Sequence, residues 1–172
     1  MIKAVATAVE TAEREPRKAA QVQPLYLEAL TLVERLHRRL LDVIKDEFDR
    51  RSRADINSVQ ALLLYNIGDK ELTAGELRTR GYYLGSNVSY NLRKLVDMGY
   101  LNYKRSQQDR RCVRVSLTPK GLDAREIIQR LYHRQLACVE AVGQVSHEDL
   151  QGVNRALIRL ERFWSDQIRY RL

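Results

Sequence analysis

The side chains with the most chemical meaning in this chain lie between Leu84 and Gly121, in the run LGSNVSYNLRKLVDMGYLNYKRSQQDRRCVRVSLTPKG. Arg93, Lys94, Lys104, Arg105, Arg110, Arg111, Arg114 and Lys120 stand there against only Asp97 and Asp109, so this window carries +6 of the formal +8. Clustered lysine and arginine release condensed counterions when they neutralise a polyanion, which is the electrostatic footprint of nucleic-acid binding. A lone charge run is usually a solvated face. Here it sits on a capped amphipathic helix, a stop and a basic hairpin, the recognition parts of a winged-helix DNA reader.

Within the run, helical geometry separates two faces. At about 100° per residue, Ser86, Asn87, Tyr90, Arg93 and Lys94 project away from Val88, Leu92 and Leu95, with Ser89 on the flank. Amide, hydroxyl and cationic groups are what base edges and phosphates require. Tyr90 has three readings: contact with a thymine methyl, contact with a phosphate, or rest against a neighbour. Further on, Asp109 beside Arg110 and Arg111 is suited to holding one guanidinium extended. A narrow A·T minor groove concentrates negative potential and attracts such an arginine. The alternative is a surface ion pair worth about 0–1 kcal/mol.

Other chemistries find little footing. His37, His133 and His147 are scattered, and none shares a metal-ligand spacing with a cysteine or carboxylate cluster. Neither a phosphate-cradling glycine loop nor a G-x-S-x-G elbow is present. The expectation is a protein that is not an enzyme and holds no cofactor or metal. Cys112 and Cys138 lack a paired spacing and read as small buried hydrophobes. Cys112 beside the basic tip has a second reading as an oxidant sensor.

Bulk properties agree. The 172 residues suffice for one domain or a reading module with an elaborated lobe, and 44% apolar content suffices for a core. A pI near 9.7 favours an acidic partner. No apolar run approaches the roughly 20 residues of a membrane span, and MIKAVATAVETAERE makes a poor signal peptide. The expected location is the cytoplasm, without membrane association.

The elements that must position these groups follow from capping and periodicity. Residues 1–23 read as a mobile arm, or as a helix that packs only against a partner, with Pro16 expected to break any helix there. Pro24 opens a helix to Phe48 on a stripe of Leu25, Ala29, Leu32, Leu36, Leu40, Val43 and Ile44. That length suggests that part of the stripe meets another subunit. Asn57 caps a helix that Gly68 stops after Ile67, and Thr73 to Glu76 is a capping box for a helix to about Arg80 and Gly81. Ser86 is the expected cap of the next helix, and Gly99 its end. Leu101–Arg105 and Val113–Leu117 read as strands of a hairpin. Thr118 and Pro119 open a helix directed towards Gly143, and Ser146 to Asp149 cap a last one carrying Leu150, Val153, Leu157, Leu160, Trp164 and Ile168. The fold class is mainly α with a small β-hairpin wing. The expected organisation is an arm (1–23), a dimerisation helix (24–52), a winged helix-turn-helix (53–118) and C-terminal dimerisation helices (119–172).

The order of elements, the spacing of Ser89, Leu92, Leu95 and Gly99, the D-R-R tip and the following V-S-L-T-x-K-G resemble the MarR family of bacterial transcription regulators. The resemblance covers roughly residues 25–170, and YYLGSNVSYNL is also similar to regulators of the LdtR type. It implies a winged-helix homodimer whose first and last two helices form the dimer lobe. It also implies that the helix over 86–98 enters the major groove and that Arg111 enters the minor groove. Many members carry Arg directly after the serine, where this chain has Tyr90, so base preference does not carry over. A pocket for a small-molecule effector, between reading module and dimer lobe, is implied too; His37, Tyr65, Tyr82 and Tyr83 are candidates to line it. Leu36, Leu40, Trp164 and Ile168 are the candidate shared core, because a reading module alone cannot bury so many apolar residues at both chain ends.

The combined expectation is a ligand-responsive repressor on a pseudo-palindromic double-stranded operator. Its DNA contacts would be Ser86, Asn87, Ser89, Tyr90, Arg93, Lys94, Arg105, Asp109, Arg110 and Arg111. The rival is a winged-helix module that docks proteins without reading DNA. Such a module would tend to make the face around Asn87 and Lys94 apolar.

Overall fold

The computed structural model describes residues 2–73, 76–77, 85–105 and 113–170, and at 2–19, 85–88, 105 and 113 it describes the backbone alone. In chain order the elements are α1 (Ile2–Arg50), α2 (Ser58–Ile67), β1 (Leu72–Thr73), α3 (Gly85–Asp97), β2 (Leu101–Arg105), β3 (Val113–Leu117), α4 (Pro119–Leu136) and α5 (His147–Tyr170). Two compact units result, Met1–Val59 and Gln60–Leu172.

The first unit is built on α1, whose 49 residues run unbroken through Pro16 and Pro24. At 1.5 Å per residue it extends about 73 Å. The expected break at Pro16, and a fresh start at Pro24, are therefore corrected. Each proline deletes one ladder hydrogen bond and crowds the preceding turn, yet its φ near −65° is itself helical, so the flanking residues continue the helix. Ion pairs one turn apart knit the wet face: Arg39 with Asp42 at 3.2 Å, Lys45 with Asp49 at 2.7 Å, and Arg50 with Asp46. Exposed pairs of this kind contribute only about 0.3–0.5 kcal/mol each. Towards its C-terminal end Ile44 and Phe48 are buried, and the buried Glu47 accepts from Arg51 Nε at 2.9 Å.

Helix α2 begins directly after Asn57 and ends at Ile67, most of it in the second unit, and Gly68 with φ of +66° then turns the chain. Ala61, Leu63, Leu64 and Ile67 are buried. The capping box that follows is made as expected: Thr73 N donates to Glu76 Oε2 at 2.6 Å, and Glu76 N donates to Thr73 Oγ1 at 3.0 Å. The expected end of that helix at Arg80 and Gly81 lies outside the described residues. Helix α3 starts at Gly85, so Ser86 stands in its first turn and not at the cap. A cap residue needs non-helical backbone, which Ser86 lacks.

The C-terminal end of α3 is closed by a Schellman motif. Gly99 adopts φ +76°, Gly99 N donates to Val96 O at 2.9 Å and Tyr100 N donates to Leu95 O at 2.8 Å. Strands β2 and β3 then pair antiparallel with Leu101 opposite Leu117 and Tyr103 opposite Val115. A third strand was not foreseen: β1 adds to the other edge of β3, with Leu72 opposite Val115, giving the order β1-β3-β2. Two residues carry no periodicity to read. Leu101 is buried while Tyr103, on the same face, is 49% exposed, so the covered part of β2 ends between them.

Thr118 caps α4, its Oγ1 accepting from Gly121 N at 3.1 Å with Pro119 next in line. The helix ends at Leu136, short of Gly143. Helix-like bonds persist in the following turns, such as Val142 N to Cys138 O at 2.9 Å, which is why apolar spacing alone did not reveal the end. Cys138 falls in these turns and is exposed, correcting the expectation of a buried thiol. Helix α5 opens on the expected box, Ser146 N donating to Asp149 Oδ2 at 3.0 Å and Asp149 N to Ser146 Oγ at 3.1 Å.

Two predictions follow from these caps. A Cβ added at Gly121 would lie 2.2 Å from the Tyr100 carbonyl oxygen, inside any tolerable contact. Gly121→Ala should therefore lower stability by about 1–3 kcal/mol, and Thr118→Ala by about 0.5–2 kcal/mol, both read from denaturant melts; wild-type midpoints would refute the tight junction. The second concerns pH. The Ser146 backbone N–H, then its hydroxyl, hold the Asp149 carboxyl below its usual 3.8. A depressed carboxyl stabilises the fold above its unfolded value and loses that contribution as pH falls through the lower, folded value. Melting temperatures of wild type and Asp149→Ala should differ at neutral pH and converge in strong acid; a gap independent of pH would contradict it.

Candidate nucleic-acid interface

Helix α3 divides as its sequence predicts. Leu92 and Leu95 are buried, while Ser89, Tyr90, Arg93 and Lys94 are exposed, Tyr90 to 60%. Lys94 Nζ sits 5.2 Å from the centre of the Tyr90 ring. A cation over a ring face gains about 0.5–1 kcal/mol at an exposed site, enough to bias both side chains outward together. Tyr90 thus rests partly on a neighbour, and the neighbour is cationic. Ser86 and Asn87 are placed by their backbone in the first turn, one turn ahead of Tyr90 on the same side.

The wing supplies a second cationic surface. Lys104 on β2 and Arg114 on β3 are directly opposite and both exposed. Like charges so paired repel, and Glu71 Oε2, at 3.8 Å from Arg114 Nη1, partly offsets this. Arg105 pairs in register with Val113. Asp109, Arg110 and Arg111, along with Cys112, lie outside the described residues.

The structure redistributes two cations of the basic run. Arg114 is engaged by Glu71. Lys120 is exposed, yet its ammonium has partners on the protein: its Nζ donates to Met98 O at 3.2 Å and lies 4.1 Å from the centre of the Tyr100 ring. Lys104, counted in the basic run but not among the DNA contacts expected from the sequence, is an exposed wing cation. Its alternation with Tyr103 in the strand was the available signal.

Of the candidate pocket residues, His37 is exposed on α1. Tyr65 of α2 meets Tyr132 of α4 edge to face, centroids 5.1 Å apart at 83°. Burial, then the Tyr65 phenol, hold the Tyr132 phenol above its usual 10.0. Tyr82 and Tyr83 lie outside the described residues. Among the described residues no group of three or more His, Cys, Asp or Glu is placed to hold a metal ion, and no helix is long and apolar enough to cross a membrane.

The candidate dimer residues are uncovered or nearly so within one chain. Leu36 is 66% and Ile168 81% exposed, Trp164 is exposed, and Leu40 is intermediate. Helix α5 has no buried residue at all, although Leu150, Val153, Leu157, Trp164 and Ile168 recur on one side.

Comparison with known proteins bears on all of this. Residues 56–121 match the family model of a winged helix DNA-binding domain. The chain is 35% identical over 147 residues, 84% of its length and 74% of the relative's, to the exopolysaccharide II synthesis transcriptional activator ExpG of Rhizobium meliloti. Among solved structures, Streptococcus pneumoniae FabT in complex with DNA superposes with a TM-score of 0.63 at 21% identity, covering 82% of this chain and 98% of that one. Staphylococcus aureus MarR in complex with salicylate and kanamycin gives a TM-score of 0.67 at 20% identity, covering 87% and 98%. With the helix-turn-helix, the basic wing and these likenesses together, the chain belongs to the MarR family of winged-helix, DNA-binding transcription regulators.

Proposed function

We propose that this regulator binds a pseudo-palindromic duplex operator as a homodimer, with α3 in the major groove and the wing over the adjoining minor groove. The observation that carries this reading is the outer face of α3, where Ser89, Tyr90, Arg93 and Lys94 are exposed opposite the buried Leu92 and Leu95. A protein-docking module would show an apolar patch there. Ser86, Asn87 and Arg93 are assigned to base edges, Lys94, Lys104, Arg105 and Arg110 to phosphates, and Arg111, steadied by Asp109, to the minor groove. FabT, solved with DNA, is a structural neighbour that supports the reading.

The dimer is supported by the apolar side of α5 and by exposed Leu36 on α1. Monomers rarely leave so continuous an apolar stripe in water. Leu36, Leu40, Trp164 and Ile168 are assigned to the shared core. Two copies of α3 would then meet major grooves about 34–36 Å apart, placing half-sites about 10 bp apart. A small-molecule effector that shifts the dimer between two spacings completes the proposal. Staphylococcus aureus MarR, solved with salicylate and kanamycin, supports it. The sequence-based expectation is a repressor and the Rhizobium meliloti relative is named an activator. The proposed duplex-bound dimer serves either role, the sign being set by where the operator lies relative to the promoter.

DNA contacts are tested by affinity against salt. Lys94→Ala should weaken all duplexes alike and reduce the slope of log affinity against log salt by about 0.9. Arg111→Ala should lose most where the operator flanks are A·T-rich. Equal losses on A·T and G·C flanks would make Arg111 another phosphate contact. The dimer is tested by sedimentation: Ile168→Asp should shift the chain to monomer at micromolar concentration, and a fully dimeric mutant would remove Ile168 from the interface.

A further inference from the structure

Lys120 occupies an electrostatically unfavourable place for its own helix. It is the second residue of α4, whose first turn contains no acid. A helix N-terminus carries a partial positive charge, so a cation there is mildly destabilising. Its ammonium instead serves a different helix. The last carbonyls of α3 carry the complementary partial negative charge, and Lys120 Nζ donates to Met98 O, directly after the final α3 residue, at 3.2 Å. The same ammonium lies 4.1 Å from the centre of the fully buried Tyr100 ring. Two residues before Lys120, at the N-cap of α4, Thr118 Oγ1 donates to Gly99 O at 2.7 Å. Two carbonyls that α3's own ladder leaves open are thus taken by the entry of α4.

We infer that Lys120 is a positioning residue for DNA reading: it fixes the C-terminal end of α3 against the base of the wing and does not contact phosphate. The inference rests on the DNA-reading assignment of α3. Anchored at Met98 and Tyr100, the helix keeps a defined angle to the hairpin, which starts one residue later at Leu101. Specific binding needs helix and wing engaged together. Non-specific binding needs only cations that face phosphate; Lys120, although exposed at the surface, has its ammonium on Met98 O and the Tyr100 ring.

The two roles separate by salt dependence. A phosphate contact shifts the slope of log affinity against log salt by about 0.9, whereas a residue that touches no phosphate leaves the slope unchanged. The test takes the full-length protein, an operator selected by the wild type from random-sequence duplexes, and poly(dI-dC) as the non-specific probe. Lys120→Met keeps the side-chain volume and removes the charge. It should lower operator affinity on the order of tenfold, the effect of one charge-assisted hydrogen bond, with poly(dI-dC) affinity and both slopes unchanged. Lys120→Arg, which retains a cation and a donor, should restore most of the loss. Amide exchange at Gly99 and Tyr100 should quicken in Lys120→Met only. A slope reduced by about 0.9 would make Lys120 a phosphate contact and overturn the inference. Unchanged operator affinity would overturn it as well. A parallel fall on both probes that follows loss of folded protein would reduce Lys120 to a stability residue. If the wild type selects no duplex, the DNA reading itself fails, an outcome distinct from these.

Discussion

The closure of α3 against the entry of α4 is the constraint on which the reading surface hangs. Within five residues the chain ends a helix at Asp97, reverses at Gly99 and starts a strand at Leu101. Sixteen residues after Leu101 the strand partner Leu117 returns to the same place, and Thr118 follows. The Thr118 hydroxyl accepts from Gly121 N and donates to Gly99 O, while its backbone N–H donates to Tyr100 O at 3.1 Å. The absent side chain of Gly121 is what lets α4 approach the Tyr100 carbonyl. One backbone bond and the two bonds of the Thr118 hydroxyl therefore tie the turn after α3 to the junction of β3 with α4, and the orientation of α3 to the hairpin does not depend on a flexible connection.

Electrostatics explains why such anchoring is needed. Concentrating lysine and arginine on one helix face and one hairpin raises on-rates for a polyanion, but it also pushes those elements apart. The protein moderates the repulsion locally. Lys94 rests on Tyr90, Arg114 has Glu71 beside it, and Lys120 is turned to a carbonyl and a ring. Each arrangement leaves the fold intact while Arg93, Lys94 and Lys104 remain outward.

The helical ends of the chain obey a different logic. Helices α1 and α5 present leucine, valine and aromatic side chains to water within one chain. Helical order in proteins comes chiefly from burying an amphipathic face. The proposed homodimer supplies that burial, and it also sets the distance between two reading helices. Stability and operator geometry then share one interface, which gives an effector a means of acting on DNA affinity through packing.

Much of this was legible in the chain alone, because the signals involved are local. Thr73 with Glu76, Ser146 with Asp149, and Thr118 with Pro119 are caps formed by residues within three positions of each other, and the strand ends at Leu101, Arg105, Val113 and Leu117 follow from alternation and turn chemistry. The polar face of α3 follows from helical phase. Where the sequence misled, the deciding terms were not local. Pro16 and Pro24 signal a break, but a proline φ is helical and the neighbouring ladder carries on through both. Strand β1 is too short to show a period and exists because β3 has a free edge. Lys120 counts as one more cation in the sequence; only the meeting of α4 with the end of α3 gives its exposed ammonium a carbonyl and a ring as partners, in residues some twenty positions away.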